Sequence, residues 1–122
     1  MSADLLAGLR AACLALPEVT ERLSHGSPAW FVRGKKGFVH FVDHHHGDPH
    51  VAFWAAAPPG VQAEVVAAEP ARFFVPPYVG HRGWIGMRLD GTGDDAVDWD
   101  EVREVVTDAW RHVAPQRLAA QL

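Results

Sequence analysis

Four histidines crowd one short stretch of this chain: His44, His45 and His46 in succession, then His50, with Asp43 and Asp48 beside them. Imidazole and carboxylate are donors for zinc, nickel and copper. Three consecutive side chains cannot converge on one ion, because extended backbone alternates its side chains between faces. The spacing also matches no standard zinc pattern. The stretch therefore reads as a solvated hairpin tip with weak, adventitious metal affinity, and no cofactor is expected.

A second group combines aromatic walls with polar tips. His25 and Ser27 lie in one glycine-containing loop, and Tyr78, His81, Arg82 and Trp84 in another. Brought together, they would form an aromatic pocket with a few convergent polar groups, the usual make-up of a small-ligand site. The alternative is that Tyr78 and Trp84 complete the core while His25 and His81 bond to backbone.

A third group is basic. Arg33, Lys35 and Lys36 cluster around one turn, with Arg82 and Arg88 further on. A β-ribbon carrying such residues can enter a DNA groove, phosphate contacts giving affinity and base edges specificity. A Gly-Lys-Lys-Gly turn is equally an ordinary soluble hairpin. Nucleophilic catalysis has the thinnest support: Ser24 or Ser27 beside His25 lacks an orienting third group, and no paired carboxylates stand out.

The elements that must position these residues follow from pattern. Leu5, Leu9, Ala12, Cys13 and Leu16 recur at helical spacing, with Ser2 as cap and Pro17 as stop. Residues 18–27 read as a polar connection. Ala29–Arg33, Phe38–Val42 and Val51–Ala55 read as strands joined by short turns, Gly34–Gly37 and Asp43–Pro49, in an antiparallel meander. A short helix follows over Val61–Ala68, between Pro58-Pro59-Gly60 and Pro70. Phe73–Val75 and Gly83–Leu89 are two more strands. Asp98 and Glu101 form a capping-box pattern before the strongest amphipathic run, Trp99 to Val113. Arg117–Leu122 adds one terminal turn.

The order α-β-β-β-α-β-β-α predicts an α+β fold of two layers, a five-stranded antiparallel sheet with helices on one face. Several strands are apolar at both parities: Phe31 as well as Trp30, Phe41 as well as Val42. The face without helices should then carry aromatics. It is expected either to hold a homodimer or another partner, or to be covered by loops.

At 122 residues, with 48% hydrophobic and 21% charged, the chain fits one domain over 1–122 with a core of its own. The net charge of −4 argues against a protein built around nucleic-acid phosphates, unless a local basic patch exists. The single cysteine, Cys13, excludes an intrachain disulfide and reads as a buried apolar thiol. Met1-Ser2-Ala3-Asp4 lacks the start of a secretory signal, and no apolar run suits a membrane span. The expectation is cytoplasmic, without a membrane partner.

Three passages carry a resemblance: Leu16–Glu21 through His25–Trp30; Pro76-Pro77-Tyr78-Val79-Gly80-His81-Arg82-Gly83-Trp84-Ile85-Gly86; and Asp98–Val102 with Trp110-Arg111. Together, in this order and spacing, they resemble the MmcQ/YjbR-like family. The resemblance implies a small two-layer α/β domain of the kind shared with secretion chaperones and, more loosely, frataxin-like proteins. Its members are often described as double-wing DNA-binding-like, with no established activity. It makes a non-enzymatic DNA-binding role the leading expectation. A small-molecule or protein-partner module using the His25 and Tyr78–Trp84 loops comes second, and a hydrolase-like enzyme third. The His44–His46 turn departs from many relatives, as does His81, where many have lysine.

Overall fold

Which side of the sheet each residue faces is set by strand pairing, so the topology comes first. The computed structural model describes residues 2–122. Its elements are α1 (Ser2–Leu14), β1 (Val19–Ser24), β2 (Ser27–Val32), β3 (Lys36–Asp43), β4 (Val51–Ala55), α2 (Val61–Ala68), β5 (Phe73–Phe74), β6 (Ile85–Arg88), α3 (Trp99–Val113) and α4 (Gln116–Ala119). The strands form one antiparallel sheet in the order β1-β2-β3-β4-β6-β5. None of the described helices is long and apolar enough to cross a membrane.

The sheet has six strands where the sequence reading has five. The extra one, β1, occupies the segment read as a polar connection. Its Val-Thr-Glu-Arg-Leu-Ser sequence looks like loop because it is an edge strand, where charge discourages pairing with other chains. The turn that folds it onto β2 is His25-Gly26, with φ of 51° and 82°. Two successive left-handed residues are the signature of a type I′ hairpin, whose twist matches that of the strands. The next hairpin repeats the device at Arg33-Gly34 (φ 54° and 68°), where Lys35 N–H donates to Val32 O at 3.0 Å. The turn thus lies a residue earlier than Gly34–Gly37, and Lys36 already belongs to β3.

Cross-strand partners share a face. Trp30 with Val39, Phe41 with Phe53 and Phe53 with Met87 define one side, and this side meets the helices. α1 buries Leu9, Ala12 and Cys13 there; α3 buries Val102, Val106, Ala109 and Trp110. The two helices meet where Gly8 lies under Trp99; a Cβ on Gly8 would stand 2.3 Å from that ring. Burial raises the Cys13 thiol far above its ordinary pKa, so it packs as a small hydrophobe.

Polar links tie the helical layer to the chain that precedes β2. Trp110 Nε1 donates to Pro17 O at 3.1 Å. The Glu21 carboxylate accepts from Arg10 Nε and Nη2 at 2.8 and 2.9 Å and from Trp30 Nε1 at 2.9 Å. Asp98 caps α3 by accepting from the backbone N–H of Asp100 and Glu101. Glu101 does not complete a capping box; its carboxylate instead takes the guanidinium of Arg72, which also reaches Glu69 at 2.6 Å. Ser2 is already helical rather than a cap outside the helix.

Candidate functional site

The other side of the sheet presents Phe31, His40, Val42 and Trp54, with Ala29 opposite His40. Neither α1 nor α3 lies on it. Two loops bend over part of this surface, the β3–β4 hairpin tip and the passage from Pro76 to Trp84, and leave a cleft of about 840 Å³.

Each loop is held by strained backbone. In the hairpin tip, His44 and His46 have φ of 53° and 49° around a short 3-10 turn at His45–Gly47. The tip closes through His44 N–H to His50 O at 3.0 Å. In the second loop, Val79 N–H donates to Pro77 O at 2.6 Å, so Tyr78 sits at the centre of a three-residue γ-turn with φ of 63°. Left-handed γ-turns are rare and strained for a side-chain-bearing residue. The conformation holds Tyr78 against the hairpin tip although the residue is 66% exposed. Its ring meets His45 at 5.8 Å, His46 at 6.5 Å and Trp54 at 6.3 Å between centroids, and His45 meets Trp54 at 5.1 Å. Gln62, on α2, steadies the loop's far end: its side-chain amide donates to Gly80 O and Trp84 O, each at 2.7 Å.

Five of the six pocket residues expected from sequence line this one cleft: His25, Ser27, Tyr78, Arg82 and Trp84. His81 does not; it is exposed on the 3-10 turn Gly80–Arg82. The structure adds Ala29, Phe31, His40, His45, His46 and Trp54 to the lining. Sequence pattern missed Phe31, His40 and Trp54 as a group because they lie on three strands. The signal was present as double-sided apolarity. Burial first, then the neighbouring His25 and His45, hold His40 below the ordinary imidazole pKa. Burial and His46 do the same to His45, against a smaller opposing pull from Asp48. Both shifts favour the neutral imidazole at His40 and His45.

The histidine cluster is dispersed. His44 turns to Asp43; His50 Nδ1 lies 3.1 Å from Asp90 Oδ1, while the other oxygen of Asp90 accepts from Val51 N–H at 2.8 Å. His45 and His46 face the aromatic cluster. Among the described residues no group of three His, Cys, Asp or Glu side chains is placed to hold a metal ion. Ser24 and Ser27 face each other as the last pair of the first hairpin, with His25 at the turn between them. Among the described residues no hydrogen bond joins either hydroxyl to that imidazole.

The basic residues divide. Arg33 is engaged by Glu18 through two hydrogen bonds of 2.8 and 3.2 Å. Arg88 donates to the carbonyls of Pro70 and Ala71 and lies over the Phe74 ring. Lys35, Lys36 and Arg82 instead line one groove of about 450 Å³, together with Gly37, Trp84 and His112. The Arg82 guanidinium lies 5.4 Å from the centre of the Trp84 ring.

A two-layer α+β domain with a loop-roofed cleft on the sheet face opposite α1 and α3 is the class of protein these observations define. Within that class the chain belongs to the YjbR family, whose model matches residues 14–112. The fold is similar to that of the crystal structure of Deinococcus radiodurans protein DR2400, described as a DUF419 domain. The TM-score is 0.70 at 17% sequence identity, over 88% of this chain and 77% of that one. None of the curated proteins compared with this chain matches it.

Proposed function

We propose that this protein is a non-catalytic binding module whose cleft takes a small ligand with an apolar, flat body. The observation that carries this reading is the convergence of two loops, distant in sequence, on one 840 Å³ space walled by Trp54, Tyr78 and Trp84. Pockets of this size, mostly apolar with a few polar groups at the edge, suit small molecules. The strained Tyr78 backbone supports it further, since strain persists where the surroundings over-determine it and clusters at binding sites. The test is a thermal-shift screen of aromatic and apolar metabolites. A ligand that binds the folded state raises the melting temperature. The shift must vanish in Tyr78→Ala and survive in His81→Ala; the opposite pattern removes the cleft from consideration.

A second reading, DNA binding, is supported by Lys35, Lys36 and Arg82 sharing a groove. It predicts weak association with a labelled duplex at low salt, lost at moderate salt and in the doubly substituted Lys35→Glu/Lys36→Glu protein. Fluorescence anisotropy that stays flat at low salt rejects it.

A further inference from the structure

The cluster of Tyr78, His45 and Trp54 borders a second space. It adjoins the cleft on the side of β5 and the hairpin tip and measures about 540 Å³. Trp54, Phe74 and Tyr78 give it aromatic walls, His45 a further ring and Asp48 a carboxylate. Strand register builds it. Trp54 and Phe74 are both partners of Gly86, and a Cβ on Gly86 would stand 2.4 Å from the Phe74 ring. The absent side chain lets that ring lie across Gly86, the residue between it and Trp54. The rings are inclined to one another: Tyr78 at 57° to Trp54, His45 at 75° to Trp54 and 79° to Tyr78. Inclined rings make a corner that a rounded group touches on several sides.

The charge at this corner has one sign. Asp48 lines the space and no Lys or Arg does. Its Oδ1 accepts from His50 N–H at 2.8 Å, which orients the carboxylate, and among the described residues it makes no ion pair. Arg88 lies over Phe74, but its guanidinium donates to the Pro70 and Ala71 carbonyls and does not line the space. Burial favours the neutral form of His45. Aromatic faces carry negative potential and attract a cation within about 6 Å of the ring centre.

We infer that this space binds a small molecule through a trimethylammonium group, held against Trp54, Phe74 and Tyr78 with Asp48 as counter-charge. Such a group carries no N–H to satisfy, so ring faces and one carboxylate suffice. The inference does not depend on the flat ligand of the cleft: Phe74 and Asp48 line only this space, and Ser27 only the cleft.

The test is a pair of NMR titrations of the intact protein at pH 7.5. One uses choline, the other its neutral isostere, the alcohol in which tert-butyl replaces trimethylammonium. Choline should bind more tightly by about fivefold or more, the scale of a partly desolvated cation–π contact. Phe74→Leu keeps apolar bulk but removes the ring face. It should lower that preference by about half or more and leave affinity for the alcohol unchanged. Asp48→Asn, on the exposed hairpin tip, keeps the acceptor for His50 N–H and should lower the preference about twofold. Ser27→Ala should alter neither probe. Absence of choline binding, equal affinity for the two probes, or a preference that survives Asp48→Asn or a folded Phe74→Leu overturns the inference and leaves the cleft reading to its own thermal-shift test. Choline binding lost in Ser27→Ala places the ligand in the cleft and overturns it too. A trimethyllysine peptide that binds more tightly than choline, with the same dependence on Phe74 and Asp48, overturns the small-molecule assignment in favour of a protein partner.

Discussion

Replacing Tyr78 by glycine should leave a more stable protein than replacing it by alanine. On ordinary backbone the order is reversed, because glycine loses more freedom on folding, by roughly 0.5–1 kcal/mol. At Tyr78 the native φ is 63°, in the left-handed region. There a Cβ costs roughly 1–2 kcal/mol that glycine avoids. Subtracting the middle of one range from the middle of the other leaves Tyr78→Gly ahead of Tyr78→Ala by about 0.75 kcal/mol, or about 2–5 °C in melting temperature for a domain of this size. Both variants lose the same ring contacts with His45, His46 and Trp54, so this loss cancels in the comparison. Urea midpoints at neutral pH, with thermal melts alongside, measure the difference. Alanine equal to or better than glycine would mean that the γ-turn does not hold Tyr78, and the account of the cleft roof would fail. Neither variant should bind an aromatic probe, which separates the backbone's contribution from the ring's.

Other expectations concern the scaffold around the cleft. Arg10 hydrogen bonds, outweighing burial, hold the Glu21 carboxylate below its ordinary pKa of 4.5. A depressed carboxylate adds stability above pH 4.5 that disappears as pH falls through the folded value. Glu21→Gln should therefore cost about 1 kcal/mol at pH 7, discounted because Arg10 is partly exposed, and progressively less as pH falls below 4.5; a gap independent of pH would refute this. The depressed His40 imidazole works in the opposite sense. Between its folded value and 6.5 the unfolded chain binds more protons, so stability falls as pH drops through 6.5. His40→Gln should flatten urea midpoints between pH 7.5 and 5.5, and an unchanged slope would count against the burial argument. Gly8→Ala drives a methyl into the Trp99 ring and should cost about 1–3 kcal/mol, read by circular-dichroism melts. A neutral result there would mean that α1 and α3 do not approach as closely as described.

Much of the fold was legible in local pattern. The α3 stripe of Val102, Val106, Ala109 and Trp110 is buried as its helical spacing requires. β2, β3 and β4 stand where β-branched and aromatic runs put them. β1 was not legible, because Thr20, Glu21 and Arg22 satisfy the demands of an edge rather than a core. Its best signal was His25-Gly26, a tight-turn pair flanked by two strands, which reads as a loop when Val19–Ser24 is taken to be polar. The half-formed capping box has a similar origin. Glu101 matches the pattern three residues after Asp98, yet Arg72, from the far side of the sequence, competes successfully for its carboxylate.

The candidate site shows the same division. Residue types and local order determined on their own that this chain folds as antiparallel hairpins against amphipathic helices. They also determined that one sheet face would be left with aromatics to cover, because hydrophobic period and turn chemistry act over a few neighbouring residues. Only the tertiary structure decided what covers that face. Tyr78 leans over Trp54, His81 turns away, Arg33 is taken by Glu18, and Lys35 and Lys36 share a groove with Arg82. Those outcomes depend on which distant groups compete for the same partner, and that competition is settled only once the strands have brought them within reach of one another.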